Sequence, residues 1–111
     1  MEFDEYQKRA SATAVFKHDT AEYKLMYLSM GLAGETGEVI EKVKKVIRND
    51  DGIFPAENKE LLKKEIGDVL WYLSQLALNL GISFDDAANL NIAKLADRMS
   101  RDAITSEGDT R

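Results

Sequence analysis

The chain contains no cysteine and a single histidine, His18, and these two counts exclude more chemistry than any other feature of its 111 residues. Without cysteine there is no disulfide framework, zinc ribbon, cysteine-held iron–sulfur centre or thiol nucleophile. One imidazole rules out a His-rich metal site, and it leaves Ser-His-Asp catalysis only His18 as its base. Any metal must therefore be held mainly by oxygen. Basic residues are also in the minority, 15 Lys and Arg against 20 Asp and Glu for a net charge of −5. Such a balance argues against a nucleic-acid partner, which needs a basic face to displace counterions from phosphates. No charge-free run of about 18 apolar residues is present, so no membrane span is expected. Met1-Glu2-Phe3-Asp4-Glu5 is acidic and lacks the apolar core of a signal peptide, which implies a cytoplasmic protein.

Proline is nearly absent too, with Pro55 alone, while Ala, Leu, Lys and Glu are abundant, and no stretch alternates with the period of a half-buried strand. The pattern predicts an all-α fold of four helices in one domain spanning 1–111. The first runs from Phe3 to Ala14. Asp19 followed by Glu22 reads as a capping box opening a second helix that ends near Arg48, with a stripe of Leu25, Leu28, Leu32, Val39, Val43 and Val46. After the turn cluster Asn49-Asp50-Asp51-Gly52, Pro55 suits the first turn of a third helix ending before Gly81, with Leu62, Ile66, Val69, Leu73, Leu76 and Leu80 as its stripe. Ser83 caps a fourth helix, with Asp86 at its third position, that runs to about Ser100 through Ala87, Leu90 and Leu95; 101–111 reads as a polar tail. Helices two and three are long for so small a domain, and Ile40, Leu70 and Trp71 lie off the stripes. A second buried face follows, and with it a homo-oligomer, either a dimer or a dimer of dimers.

Acids flank the apolar faces. Glu35 and Glu38 border the stripe of helix two, and Glu65 and Asp68 border that of helix three, with Tyr72 on the same shoulder. Carboxylates gathered in a half-buried groove repel one another unless compensated. Salt bridges from Lys42, Lys63, Lys64, Lys94 or Arg98 are one compensation. A divalent cation is the other, and carboxylates three residues apart on two helices suit Mg²⁺ or Mn²⁺. Gly31, Gly34 and Gly37 recur every three residues beside these acids, where each costs about 1 kcal/mol against Ala in a helix. Close approach of a ligand and close packing of a helix both account for them.

The runs Gly31-Leu32-Ala33-Gly34-Glu35-Thr36-Gly37-Glu38-Val39, Glu65-Ile66-Gly67-Asp68-Val69-Leu70-Trp71-Tyr72-Leu73 and Asn91-Ile92-Ala93-Lys94-Leu95-Ala96-Asp97-Arg98 closely resemble the motifs of MazG-like nucleotide pyrophosphohydrolases. Tyr6, Gln7 and Thr13 resemble that family's N-terminal segment, so the resemblance covers nearly the whole chain. Gly34 departs from it, since many relatives carry a further Glu there. The resemblance implies a four-helix, bundle-like fold completed by homo-oligomerisation, and Mg²⁺-dependent hydrolysis of (deoxy)nucleoside triphosphates to the monophosphate and pyrophosphate in nucleotide-pool cleaning. By motif position it makes Glu35, Glu38, Glu65 and Asp68 the metal ligands and catalytic acids. Lys94 and Arg98 would neutralise triphosphate oxygens, Asn91 would hold a phosphate or a water, and Tyr72 would either donate to phosphate or simply pack.

Base recognition is assigned to helix one and the loop after it, through Gln7, Phe16, His18 and Tyr23; an exposed turn is the alternative for His18. Trp71, opposite the apolar stripe, is expected at an oligomer interface rather than stacked on a base. The ending Ser106-Glu107-Gly108-Asp109-Thr110-Arg111 is similar to the G-S-G-D-N-R of some relatives but departs at Ser106, Glu107 and Thr110, which leaves Arg111 either a phosphate ligand or part of a polar terminus. Two other functions fit the same residues: a phosphoribosyl-ATP pyrophosphohydrolase, and a non-catalytic helical interaction module.

Overall fold

A computed structural model describes residues 1–105, and these form four helices and no strand: α1 (Phe3–Ser11), α2 (Ala21–Asn49), α3 (Ala56–Asn79) and α4 (Phe84–Thr105). The all-α expectation holds. Several boundaries move, each for a local reason. Helix α1 stops at Ser11 rather than Ala14, because the Ser11 and Thr13 hydroxyls donate to the carbonyls of Lys8 and Ala10 at 2.5 and 2.7 Å, taking acceptors that another turn would use. The cap of α2 is Thr20, whose hydroxyl accepts from the Tyr23 N–H at 3.2 Å, while Asp19 pairs with Lys24 at 2.7 Å. Pro55 stands just outside α3, as its N-cap. Helix α4 continues to Thr105, five residues beyond the expected Ser100, so the start of the polar tail is helical. Ser106–Arg111, with the role considered for Arg111, lies outside the described residues.

The corner between α3 and α4 is tightly made. Ile82 N–H donates to Ala77 O at 2.8 Å and Gly81 N–H to Leu78 O at 3.0 Å, a closure that places Gly81 at φ +71°, where glycine has no steric penalty. Helix α4 then takes its cap from its own Ser83, as expected, and from α1. Ser83 Oγ accepts from Asp86 N–H at 3.1 Å, Asp4 Oδ1 from Asp85 N–H at 2.9 Å, and Gln7 Oε1 from Phe84 N–H at 3.3 Å. These three bonds satisfy N–H groups that a helix start leaves without partners.

Helices α2 and α3 form an antiparallel pair, α1 packs on α3 and α4, and α4 touches α1 and α3 but not α2. The α2 stripe is the packed one, with Leu28 and Val46 fully buried. On α3 the prediction is corrected: Ile66 is 57% exposed, and Ser74 and Gln75 are buried instead. That face meets α1 through polar groups. Gln75 Nε2 donates to Gln7 O at 3.2 Å, and Gln7 Nε2 to Ser74 O at 3.1 Å and Ile82 O at 2.9 Å. Among the described residues the apolar row of α4 is largely uncovered, with Leu90 72%, Leu95 42% and Met99 75% exposed. No described helix is long and apolar enough to cross a membrane.

Candidate metal and nucleotide site

Helix pairing brings Glu35 of α2 against Glu65 and Asp68 of α3, so that one carboxylate oxygen from each lies within 4.8 Å of the others. Glu65 and Asp68 are three residues apart and therefore neighbours on one helix face. Glu35 faces them because its stripe neighbours Leu28, Leu32 and Val39 are turned toward α3. Burial, the charges of Asp68 and Glu65, a hydrogen bond with Glu65 and the charge of Glu38 together push the Glu35 carboxyl above the usual carboxylate range, burial contributing most. Glu38 stands outside the cluster of three, half-exposed, with Lys42 4.0 Å away. Lys42 also reaches across to Glu65 at 3.4 Å, whereas Lys63 pairs with Glu60 at 2.8 Å. Among the described residues Lys42, one of the bases considered as compensation, thus pairs with Glu65 of the cluster.

An open cleft of about 310 Å³ lies over the acids, lined by Thr13, Glu35, Asp68, Trp71 and Tyr72. Tyr72 leans on Gly31, where an added Cβ would overlap the ring, so Gly31 serves helix packing. Gly34 and Gly37 have open space where their Cβ atoms would be. Burial and then Tyr27 raise the Tyr72 phenol pKa, with Glu35 and Asp68 adding to the shift. From Tyr72 an aromatic run leads away through Tyr27 (6.5 Å between centroids) and Tyr23 (6.1 Å from Tyr27) to His18 (4.9 Å from Tyr23). Phe16 packs edge-on against Tyr27 at 5.9 Å. His18 is exposed at the far end of that run.

Three other expected residues, Gln7, Asn91 and Lys94, do not line the acid cleft. Gln7 is 5% exposed, and its amide is engaged at both ends in joining α1 to α3 and α4, so it has a structural task here rather than a place in a base pocket. Asn91 and Lys94 line a separate cleft of about 500 Å³ along α4, with Ile82, Asp86, Ala87 and Leu90. Arg98 is half-buried on the same helix. Trp71, the residue expected at an oligomer interface, lines the acid cleft in the single chain, its indole N–H donating to Thr13 Oγ1 at 2.8 Å. The signal for this was its spacing, three residues beyond Asp68 on α3.

A family model for the MazG nucleotide pyrophosphohydrolase domain matches residues 25–101. The "Gene 37 protein" of Mycobacterium phage L5 is 42% identical over 115 aligned residues, covering 100% of both chains. No solved structure matches the chain.

Proposed function

The chain belongs to the MazG nucleotide pyrophosphohydrolase family, and on that premise we propose that it hydrolyses (deoxy)nucleoside triphosphates to the monophosphate and pyrophosphate, with Mg²⁺ held by Glu35, Glu65 and Asp68. The observation that carries this reading is the meeting of those three carboxylates on two rigid helices. The residues fit a hard cation: the donors are all oxygen, and the burial and mutual repulsion that together raise the Glu35 pKa are what a divalent charge offsets. Glu38, one turn from Glu35, joins as a fourth ligand when it leaves Lys42. A divalent cation bound there supplies positive charge to phosphate oxygens and acidifies a water. Glu35 or Glu38 would take the proton of a water so acidified, and Tyr72 would donate to the phosphate chain over the same cleft.

We further propose that the protein works as a homo-oligomer in the cytoplasm. Support comes from the uncovered row of α4 and from Ile66 on α3, apolar positions that a second copy would cover. Asn91 and Lys94 line a cleft of their own, apart from that of Glu35 and Asp68, and on this reading they would reach the triphosphate held by a second copy. The test is a panel of ribo- and deoxynucleoside triphosphates plus phosphoribosyl-ATP, with and without Mg²⁺, scored by released pyrophosphate. Turnover that needs Mg²⁺ and falls at least 100-fold in Asp68→Asn, with unchanged circular dichroism, is the expected result. Turnover of phosphoribosyl-ATP alone would replace the substrate; no turnover of any of them would leave a binding module.

A further inference from the structure

We infer that Trp71 is the stacking platform for the nucleobase of the substrate, an inference that rests on reading the carboxylate cleft as a nucleoside triphosphate site. A nucleotide joins an anionic chain to a flat aromatic ring, and two clefts of matching character adjoin on this surface. The first holds Glu35 and Asp68. The second, of about 340 Å³, is lined by Met1, Tyr6, Arg9, Ala10, Thr13 and Trp71 and contains no carboxylate. Thr13 and Trp71 belong to both, so the indole stands where the phosphate chain of a ligand would give way to its base.

The hydrogen bonding of the pair fixes what kind of recognition is open to it. Trp71 has one polar atom, and its N–H donates to Thr13 Oγ1 at 2.8 Å, while the Thr13 hydroxyl donates in turn to Ala10 O at 2.7 Å. Tyr72 meets the indole edge-on, at 5.0 Å between centroids and 84° between planes. The ring is held at its N–H and by a perpendicular neighbour, and its polar atom is already satisfied. What it offers a ligand is a π-face, which grips any base and reads none of its edges. Purines, with the larger ring, should bind more tightly than pyrimidines.

Trp71 is the chain's only tryptophan, so its emission reports directly on this contact. Wild-type protein in Mg²⁺ is titrated with the α,β-methylene analogue of dATP and, separately, with inorganic tripolyphosphate, which has no base. Saturable quenching by the nucleotide and none by tripolyphosphate is expected. In Trp71→Ala, KM for deoxynucleoside triphosphates should rise roughly 5- to 150-fold, the range that base–aromatic stacking commands, and Trp71→Phe should restore most of the loss. Equal quenching by the two ligands, or an emission that responds to dilution of the protein and not to nucleotide, overturns the platform in favour of an interface. Hydrolysis without quenching, with KM unchanged in Trp71→Ala, rejects the platform and spares the hydrolase; selective quenching without hydrolysis of any nucleotide does the reverse.

Discussion

Glu35 of α2 and Glu65 of α3 meet across the helix pair with carboxylate oxygens within 4.8 Å of each other, a closeness of two acids that a shared proton or a cation relieves. The Glu35 pKa is raised, so its native carboxyl binds a proton more tightly than its unfolded one. Its contribution to stability is therefore present at low pH and lost as pH rises through the folded pKa. In metal-free protein at neutral pH, Glu35→Gln should raise the melting temperature. Saturating Mg²⁺ should stabilise the wild type by about 2.7 kcal/mol at one hundred times Kd, and do so less as pH falls and the proton competes. The variant should lose that gain. Thermal melts with EDTA and with Mg²⁺, from pH 5 to 8, read both effects; a variant that melts below wild type in EDTA would contradict this account.

Gly31 and Gly34 are one turn apart and should respond oppositely to alanine. At Gly31 the new methyl meets the Tyr72 ring, an overpacking that costs about 1–3 kcal/mol. At Gly34 it meets open space, so helix propensity should stabilise by up to about 1 kcal/mol. Urea denaturation of the two variants gives the sign directly.

Asp4 reaches from α1 to cap α4, and the Asp85 N–H, followed by the Ser83 hydroxyl, holds its carboxyl below the usual carboxylate range. A lowered pKa stabilises above the unfolded value and ceases to do so as pH falls through the folded one. Asp4→Asn should thus melt below wild type at pH 7 and converge with it in acid. Parallel melts between pH 2.5 and 7 would show the two curves closing.

Complementation tests the shared site. Lys94→Ala and Asp68→Asn should each be inactive alone, and mixing them under conditions that exchange subunits should restore roughly a quarter of wild-type activity, because some sites then receive an intact α2–α3 pair and an intact α4. Recovery absent from subunits shown to exchange would place Lys94 in the site of its own subunit and overturn the shared site.

What the sequence disclosed follows the physics of each element. The α2 stripe was legible because apolar residues at helical spacing do face a partner, and the Ser83 cap because capping chemistry is local. On α3 periodicity misled: its contact with α1 is made by Gln75 and Ser74, and a buried amide network leaves no hydrophobic signature. The α4 row was legible as apolar, but spacing does not say what covers it, and among the described residues Leu90 and Met99 stay exposed. Glu35, Glu65 and Asp68 converge as their positions on the helix faces implied, whereas Glu38 leans toward Lys42, a choice between side-chain partners that spacing does not encode.

The Gln7 amide closes bonds to residues 67 and 75 positions away, while α2 and α3 are joined by a turn of a few residues. Contacts close in sequence lose little loop entropy and form early; distant ones wait. The α2–α3 hairpin, carrying Glu35, Glu65 and Asp68, can therefore assemble while the first 13 residues are still searching. Thr13 arrives with them, and only then is the indole of Trp71 tethered. The acids and the indole are thus brought in on one hairpin, and what waits for α1 is the hydrogen bond that fixes the indole.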